Sequence, residues 1–246
     1  MYLNFSIVVI YYYNENLNKN SVPYLVVKMI ELYDMGRTTH KAVKGMYEFV
    51  IQNADKYVDD PNLTQALKQH ARNRETPGYS IPQEYFTLMC DIWTQAYYSG
   101  EFHIDLKSII YPDTIPRFQK VKRAGRDIRI LTSASKEFTD ILFGLPISEE
   151  QKLSDLVDKY FLGEEIGDKD CPETFTRLWE RTKGGIYAIF DDKLSVCKAA
   201  SEGLKLASGS AKLYLVDRKN QYSGELLEEL AETGVKKISS FNEVKE

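Results

Sequence analysis

Cysteine is scarce in this 246-residue chain. Cys90, Cys171 and Cys197 are odd in number, widely spaced and without a CxxC pair. That argues against a disulfide framework or a thiolate zinc site and fits a reducing compartment. The three histidines, His40, His70 and His103, share no metal-ligand spacing and read as structural or surface residues. No apolar run approaches the roughly 20 residues needed to cross a bilayer. Met1 to Ile10 lacks the basic region and small-residue cleavage site of a secretory leader. A cytoplasmic protein with no membrane partner is the expectation. The formal charge of −4 offers no general attraction to nucleic acid. The basic run Arg117, Lys120, Lys122, Arg123, Arg126, Arg129 reads as a solvated helix face rather than a nucleic-acid contact.

What is present is ordinary globular composition, 43% hydrophobic and 28% charged, in a chain long enough for a substantial core. The stretch "SIVVIYYYNENL" reads as a fully buried first strand, since Ile7 to Ile10 leave no solvent face, ending in three phenols. About a hundred residues of helical pattern follow. Ala42, Val43, Met46, Phe49 and Val50 mark one helix; Leu63, Leu67 and Ala71 a second; Tyr85, Met89, Trp93, Ala96 and Tyr97 a third. Thr38 or Thr39 is expected to cap the first of these, with Asp34-Met35-Gly36 closing the helix before it.

From Thr114, an expected N-cap, strands and helices alternate. The strands are "DIRILTSAS", a short one near Tyr160 to Leu162, "GGIYAIFDD", "AKLYLVDR" and "VKKIS". Helices are expected at about 136–143, 173–180, 194–204 and 224–231. Such alternation predicts βαβ units and a parallel sheet of about six strands with helices on both faces. The division expected is an α/β core of residues 1–17 and 105–246, with 18–104 as a helical cap inserted after the first strand.

In open α/β folds the carboxyl ends of the strands gather reactive groups. Four such ends carry them here: Tyr11-Tyr12-Tyr13, Thr132-Ser133, the loop holding Lys169, and Asp191-Asp192. Hydroxyls and a helix start can hold phosphate oxygens, a lysine can balance their charge, and paired carboxylates suit a hard cation such as Mg²⁺. Each feature also has a plainer meaning: a strand end, a solvated lysine, an N-cap pair.

Their joint order resembles the haloacid dehalogenase (HAD) superfamily, and within it the enolase-phosphatase (acireductone synthase) branch. "IWTQAYYSGEF" resembles that branch's Trp-containing helix, and "ILTSASKEFTDILFG" its second motif. "LVDKYFLGEEIGDK" resembles the lysine motif, "AIFDDKLSVCKAA" the acidic fourth motif, and "LVDRKNQ" the loop after the fifth strand. The likeness runs from about Ile92 to Glu246. It implies a HAD-like, Rossmann-like fold and a Mg²⁺-dependent phosphatase site: Thr132 and Ser133 on phosphate, Lys169 balancing charge, Asp192 with Asp191 on the metal.

The family's first motif, Asp-x-Asp-x-Thr or Asp-x-Glu, supplies an aspartate nucleophile and an acid/base. Matched to "SIVVIYYYNENL", it puts Tyr11 at the nucleophile position and Tyr13 at the acid/base position, where phenols cannot replace carboxylates. A second stretch, "YDMGRTT", has Asp34 and Thr38 at the motif's spacing, with Gly36 in place of the second acid. The helix-like pattern of "YLVVKMIELY", which carries Lys28 and Glu31, reads it instead as a helix end and N-cap. Two functions follow from the resemblance. One is a degenerate phosphatase-like protein that has lost hydrolysis, holds Mg²⁺ weakly or not at all, and binds phosphate, a small phosphorylated metabolite or a protein partner. The other is an active phosphatase on such a metabolite, in the branch's case a phosphorylated diketone of methionine salvage.

Overall fold

The computed structural model describes residues 28–41, 44–74, 76, 79, 81–224, 228, 230 and 233–245. Within them a six-stranded sheet runs in the order β3-β2-β1-β4-β5-β6, every neighbouring pair parallel. The strands are β1 Ile30–Asp34, β2 Asp127–Thr132, β3 Lys159–Leu162, β4 Ile186–Asp191, β5 Lys212–Val216 and β6 Val235–Ile238. The helices are α1 Lys44–Asn53, α2 Pro61–Asn73, α3 Gln83–Tyr98, α4 Leu106–Ile109, α5 Thr114–Arg123, α6 Lys136–Gly144, α7 Gly163–Ile166, α8 Pro172–Arg181 and α9 Leu194–Leu206. The α/β class, the parallel sheet and the flanking helices are those expected.

The first strand of this sheet is not the one expected. "SIVVIYYYNENL", with Tyr11 and Tyr13, lies outside the described residues. The centre of the sheet is Ile30–Asp34, five residues buried throughout, paired with β2 on one side and β4 on the other. Residues 30–34 therefore belong to the sheet and not to the helical insertion, whose expected start at 18 is too early. Glu31, which made this segment look helical, is fully buried. It is held by Arg117 of α5, at 2.8 and 2.9 Å, and by Arg126 at 3.2 Å. A buried carboxylate survives inside a strand only when paired in this way. Arg117 and Arg126 are thus interior residues and not part of a solvated face.

Parallel strands are covered on both faces. On one face Phe118, Phe138 and the helical block join Tyr33, Ile128 and Phe190 in one cluster. On the other, Phe175, Leu178, Val196 and Ala200 pack on Leu32, Leu131, Ile189 and Leu215. Tyr33, Phe190 and Tyr214 stand in register on β1, β4 and β5, their rings stacked at 4.5 and 4.7 Å. Helices α8 and α9 meet at Gly203, where an added Cβ would lie 2.1 Å from the Pro172 carbonyl oxygen.

The helical block α1–α3 follows β1 in the chain. Asp60 caps α2 by accepting from the Asn62 and Leu63 amides, and Pro61 opens it. Trp93 of α3 is buried and donates to the Met46 carbonyl of α1 at 2.7 Å, so it is a core residue. Thr38 and Thr39 lie in the loop after β1 rather than capping α1, and Thr39 Oγ1 donates back to the Asp34 carbonyl at 3.1 Å. Thr114 is the first residue of α5, not its cap; its hydroxyl donates to the Thr39 carbonyl at 3.0 Å. The helix expected at 224–231 falls largely outside the described residues.

Candidate active site

β1 sits where the strand order reverses: the chain moves from β1 outward through β2 and β3, then returns to lay β4 on β1's other edge. At such a switch point the loops after the two central strands diverge and leave a crevice at their carboxyl ends. Asp34 closes β1 and Asp191 closes β4, so two carboxylates stand at the crevice mouth. Asp192 follows, and one oxygen from each of Asp34, Asp191 and Asp192 lies within 4.8 Å of the others.

Lys169, on the loop after α7, reaches into this cluster. Its buried ammonium donates to Asp34 Oδ1, and to Asp191 Oδ2 at 3.1 Å. Asp191 Oδ1 accepts from the Lys193 amide at 2.9 Å. One ammonium thus faces three carboxylates. Burial pushes the Asp34 carboxyl up to about 6; the Lys169 charge opposes the rise and the Asp191 charge adds to it. Asp192 is pushed up to about 8, by burial first and then by the charges of Asp34 and Asp191. Burial works against the Lys169 charge, but its two carboxylates outweigh it and hold the amine above the usual lysine range. Three crowded carboxylates with one cation are the donor set of a hard divalent ion, and the residues fit one.

Thr132 ends β2 and is buried. Its Oγ1 accepts from the Ala134 amide at 3.1 Å, which leaves the hydroxyl proton to point elsewhere. Ser133 and the start of α6 follow, with Ser135 capping the helix through the Phe138 amide. Gln83, the first residue of α3, donates to the Ser133 carbonyl at 2.8 Å and so fixes the helical block over the sheet's edge. The cleft between them, about 190 Å³, is lined by Asp34, Gly36, Thr132, Ser133, Lys169 and Asp192, and across from these by Arg37, Tyr47, Arg74 and Phe86. Thr132, Ser133, Lys169 and Asp192, all singled out from the sequence, therefore share one cleft; Asp191 touches it through Lys169.

Asp34 is the residue that the sequence reading set aside. Thr39 and the loop's backbone turn, in which the His40 amide donates to the Met35 carbonyl at 2.8 Å, bring the chain sharply away after it. Gly36 does not take a left-handed backbone. A Cβ built on it meets only Asp34 Oδ2, at 3.9 Å.

No family model matches the chain. Enolase-phosphatase E1 from Synechococcus elongatus, and from a second Synechococcus strain, is 37% identical to it over 75 residues. That stretch is 30% of this chain and 29% of each relative, so less than a third of their length is matched. Solved structures extend over most of the chain. The UTR4 protein of Saccharomyces cerevisiae superposes with a TM-score of 0.53 at 15% identity, covering 88% of this chain and 100% of that one. CbbY from Rhodobacter sphaeroides, in complex with phosphate, gives 0.53 at 16%, covering 88% and 96%. A HAD phosphatase from Thermococcus onnurineus gives 0.50 at 20%, covering 85% and 100%. The fold is that of the haloacid dehalogenase superfamily. The solved structures that share it include a HAD phosphatase and a dehalogenase, and the partial sequence likeness is to an enolase-phosphatase.

Proposed function

We propose that the protein is a phosphomonoester hydrolase whose nucleophile is Asp34, with Asp34, Asp192 and Asp191 forming the site of a Mg²⁺ ion. The observation that carries this reading is the Asp34 carboxylate itself: it ends the central strand, bound to Lys169, in the same cleft as Thr132. Tyr11 lies outside the described residues, and the end of the central strand, where a phenol was expected, carries the Asp34 carboxylate.

The chemistry divides among the residues as follows. An Asp34 oxygen attacks phosphorus, the bond to the leaving oxygen breaks with its electron pair, and an acyl phosphate forms on Asp34. Water then attacks that phosphorus, releasing phosphate and restoring the carboxylate. Lys169 balances charge on Asp34 and on the phosphoryl group. The Thr132 hydroxyl, whose oxygen is already engaged by Ala134, donates to a phosphoryl oxygen, and Ser133 and the α6 start supply further donors. A divalent ion bound by the carboxylates supplies charge neutralisation at the phosphoryl oxygens. Gly36 leaves no acid two residues beyond the nucleophile, so the leaving oxygen departs without a proton from that position.

The test is phosphate release from p-nitrophenyl phosphate with Mg²⁺, comparing the natural protein with Asp34→Asn and Tyr11→Phe. Asp34→Asn is expected to lose activity by roughly a thousandfold or more, and Tyr11→Phe to keep it. Full activity in Asp34→Asn would overturn the assignment. A second measurement, mass spectrometry of acid-quenched protein, should find the transient phosphate on the peptide containing Asp34.

A further inference from the structure

Gln83 opens α3, yet its side chain leaves the helical block and reaches the edge of the sheet. Both hydrogens of its side-chain amide have an acceptor: Nε2 donates to the Ser133 carbonyl at 2.8 Å and to Thr87 Oγ1 at 3.3 Å. Thr87 gives its own proton to the Gln83 carbonyl at 3.0 Å, so its oxygen is left to accept. The Ser133 carbonyl belongs to the same peptide unit as the Ala134 amide, which donates to Thr132 Oγ1 at 3.1 Å. A peptide unit is rigid, and in the trans form its C=O and N–H point opposite ways. Drawing the Ser133 oxygen toward α3 therefore turns the Ala134 hydrogen toward Thr132. The backbone of Gly163 also crowds this turn: a Cβ built there would lie 3.5 Å from Ser133 Cα.

We propose that Gln83 is a positioning residue for the phosphoryl site: by anchoring the Ser133–Ala134 peptide it aims the Thr132 hydroxyl at a phosphoryl oxygen. The inference rests on the phosphohydrolase reading for the place of that oxygen. With the Ala134 amide on its oxygen, the Thr132 hydroxyl keeps its proton for the ligand. Released from Gln83, the peptide is free to rotate. Its carbonyl then competes for that proton and turns a partial negative charge toward the anion. The helical block thus completes a donor set otherwise built at the end of β2, from 50 residues earlier in the chain.

The test is a double-mutant cycle. Gln83→Met keeps the length of the side chain and removes its donors; Thr132→Val keeps the shape and removes the hydroxyl. The natural protein, both single variants and the double variant are compared in kcat/KM for p-nitrophenyl phosphate and, by calorimetry, in affinity for inorganic phosphate with Mg²⁺. Gln83→Met should lower both by about fivefold to tenfold in the natural protein, and by less than twofold in the Thr132→Val background. Its Mg²⁺ affinity should stay unchanged, and thermal unfolding should show it folded. An equal loss in both backgrounds, or no loss in either, overturns the inference. So does a fall in Mg²⁺ affinity, which would show the whole crevice loosened. Hydrolysis needs Asp34 as nucleophile, whereas phosphate binding does not. Phosphate affinity that shows the coupling in a protein without turnover would therefore reject the nucleophile and keep the role of Gln83. Turnover with additive losses would do the reverse.

Discussion

Lys169 and Asp34, 135 residues apart in the chain, form an ion pair buried at the carboxyl end of the sheet. The same ammonium holds Asp191, so it lets β1 and β4 end side by side in carboxylates. Lys169→Met leaves those carboxylates without their cation, a loss of about 3 kcal/mol or more. Urea unfolding at neutral pH should show the drop. Added Mg²⁺ should raise the midpoint of the variant more than that of the natural protein.

Gly36 stands open to the cleft in a backbone conformation that any residue can adopt, with room for a side chain beside Asp34. Gly36→Asp would place a carboxyl group where it can protonate a leaving oxygen, a contribution of about a hundredfold or more in rate. Alkyl phosphates, whose leaving groups need the proton, should gain by that order. p-Nitrophenyl phosphate, whose leaving group departs unaided, should gain only a few-fold. Equal gains for both would show that the new carboxylate acts in another way.

His40 is buried, and burial lowers its pKa from 6.5 to about 4. The unfolded chain therefore binds a proton between these values that the folded chain refuses. Stability is complete above pH 6.5 and falls as the pH drops toward 4, by roughly 3 kcal/mol for this one group. His40→Gln, which cannot titrate, should flatten the slope of unfolding free energy over that interval. An unchanged slope would assign the acid sensitivity to other groups.

At the crossing of α8 and α9 there is no space for a methyl group on Gly203. Gly203→Ala gains helix propensity of about 1 kcal/mol, but it forces the helix away from the Pro172 carbonyl and the Phe175 side chain. The overlap should win, with a net loss of about 1–3 kcal/mol in thermal unfolding. Pairing the change with Phe175→Leu should recover little, since the closest clash is with backbone.

The rhythm of the chain from Thr114 onward was legible because its strands are apolar runs and its helices are amphipathic. Thr132, Lys169 and Asp192 were legible for the same reason: each lies just beyond a segment whose period is clear. Asp34 was not. Glu31 interrupts the apolar run of its strand and Lys28 stands two residues before it, and contacts from distant segments neutralise them, Arg117 and Arg126 for Glu31 and Asp127 for Lys28. Local pattern cannot show a partner that arrives from nearly ninety residues away. The uninterrupted Ile7-Val8-Val9-Ile10 run, outside the described residues, offered the plainer strand pattern. Arg37, Arg74 and Tyr47 carried no signal at all, because a turn and two helices bring them together only in three dimensions.

The central place of β1 also bears on the order in which the chain can assemble on the ribosome. One edge of β1 pairs with β2, but the other waits for residues 186–191. At a typical rate of about 5–20 residues per second, the delay between making β1 and making β4 is on the order of ten seconds. Throughout that time Tyr33 lacks the ring it stacks on, and for most of it Asp34 lacks Lys169. A nascent chain in that state has an open strand edge and a half-made crevice, which is where a chaperone would be expected to bind.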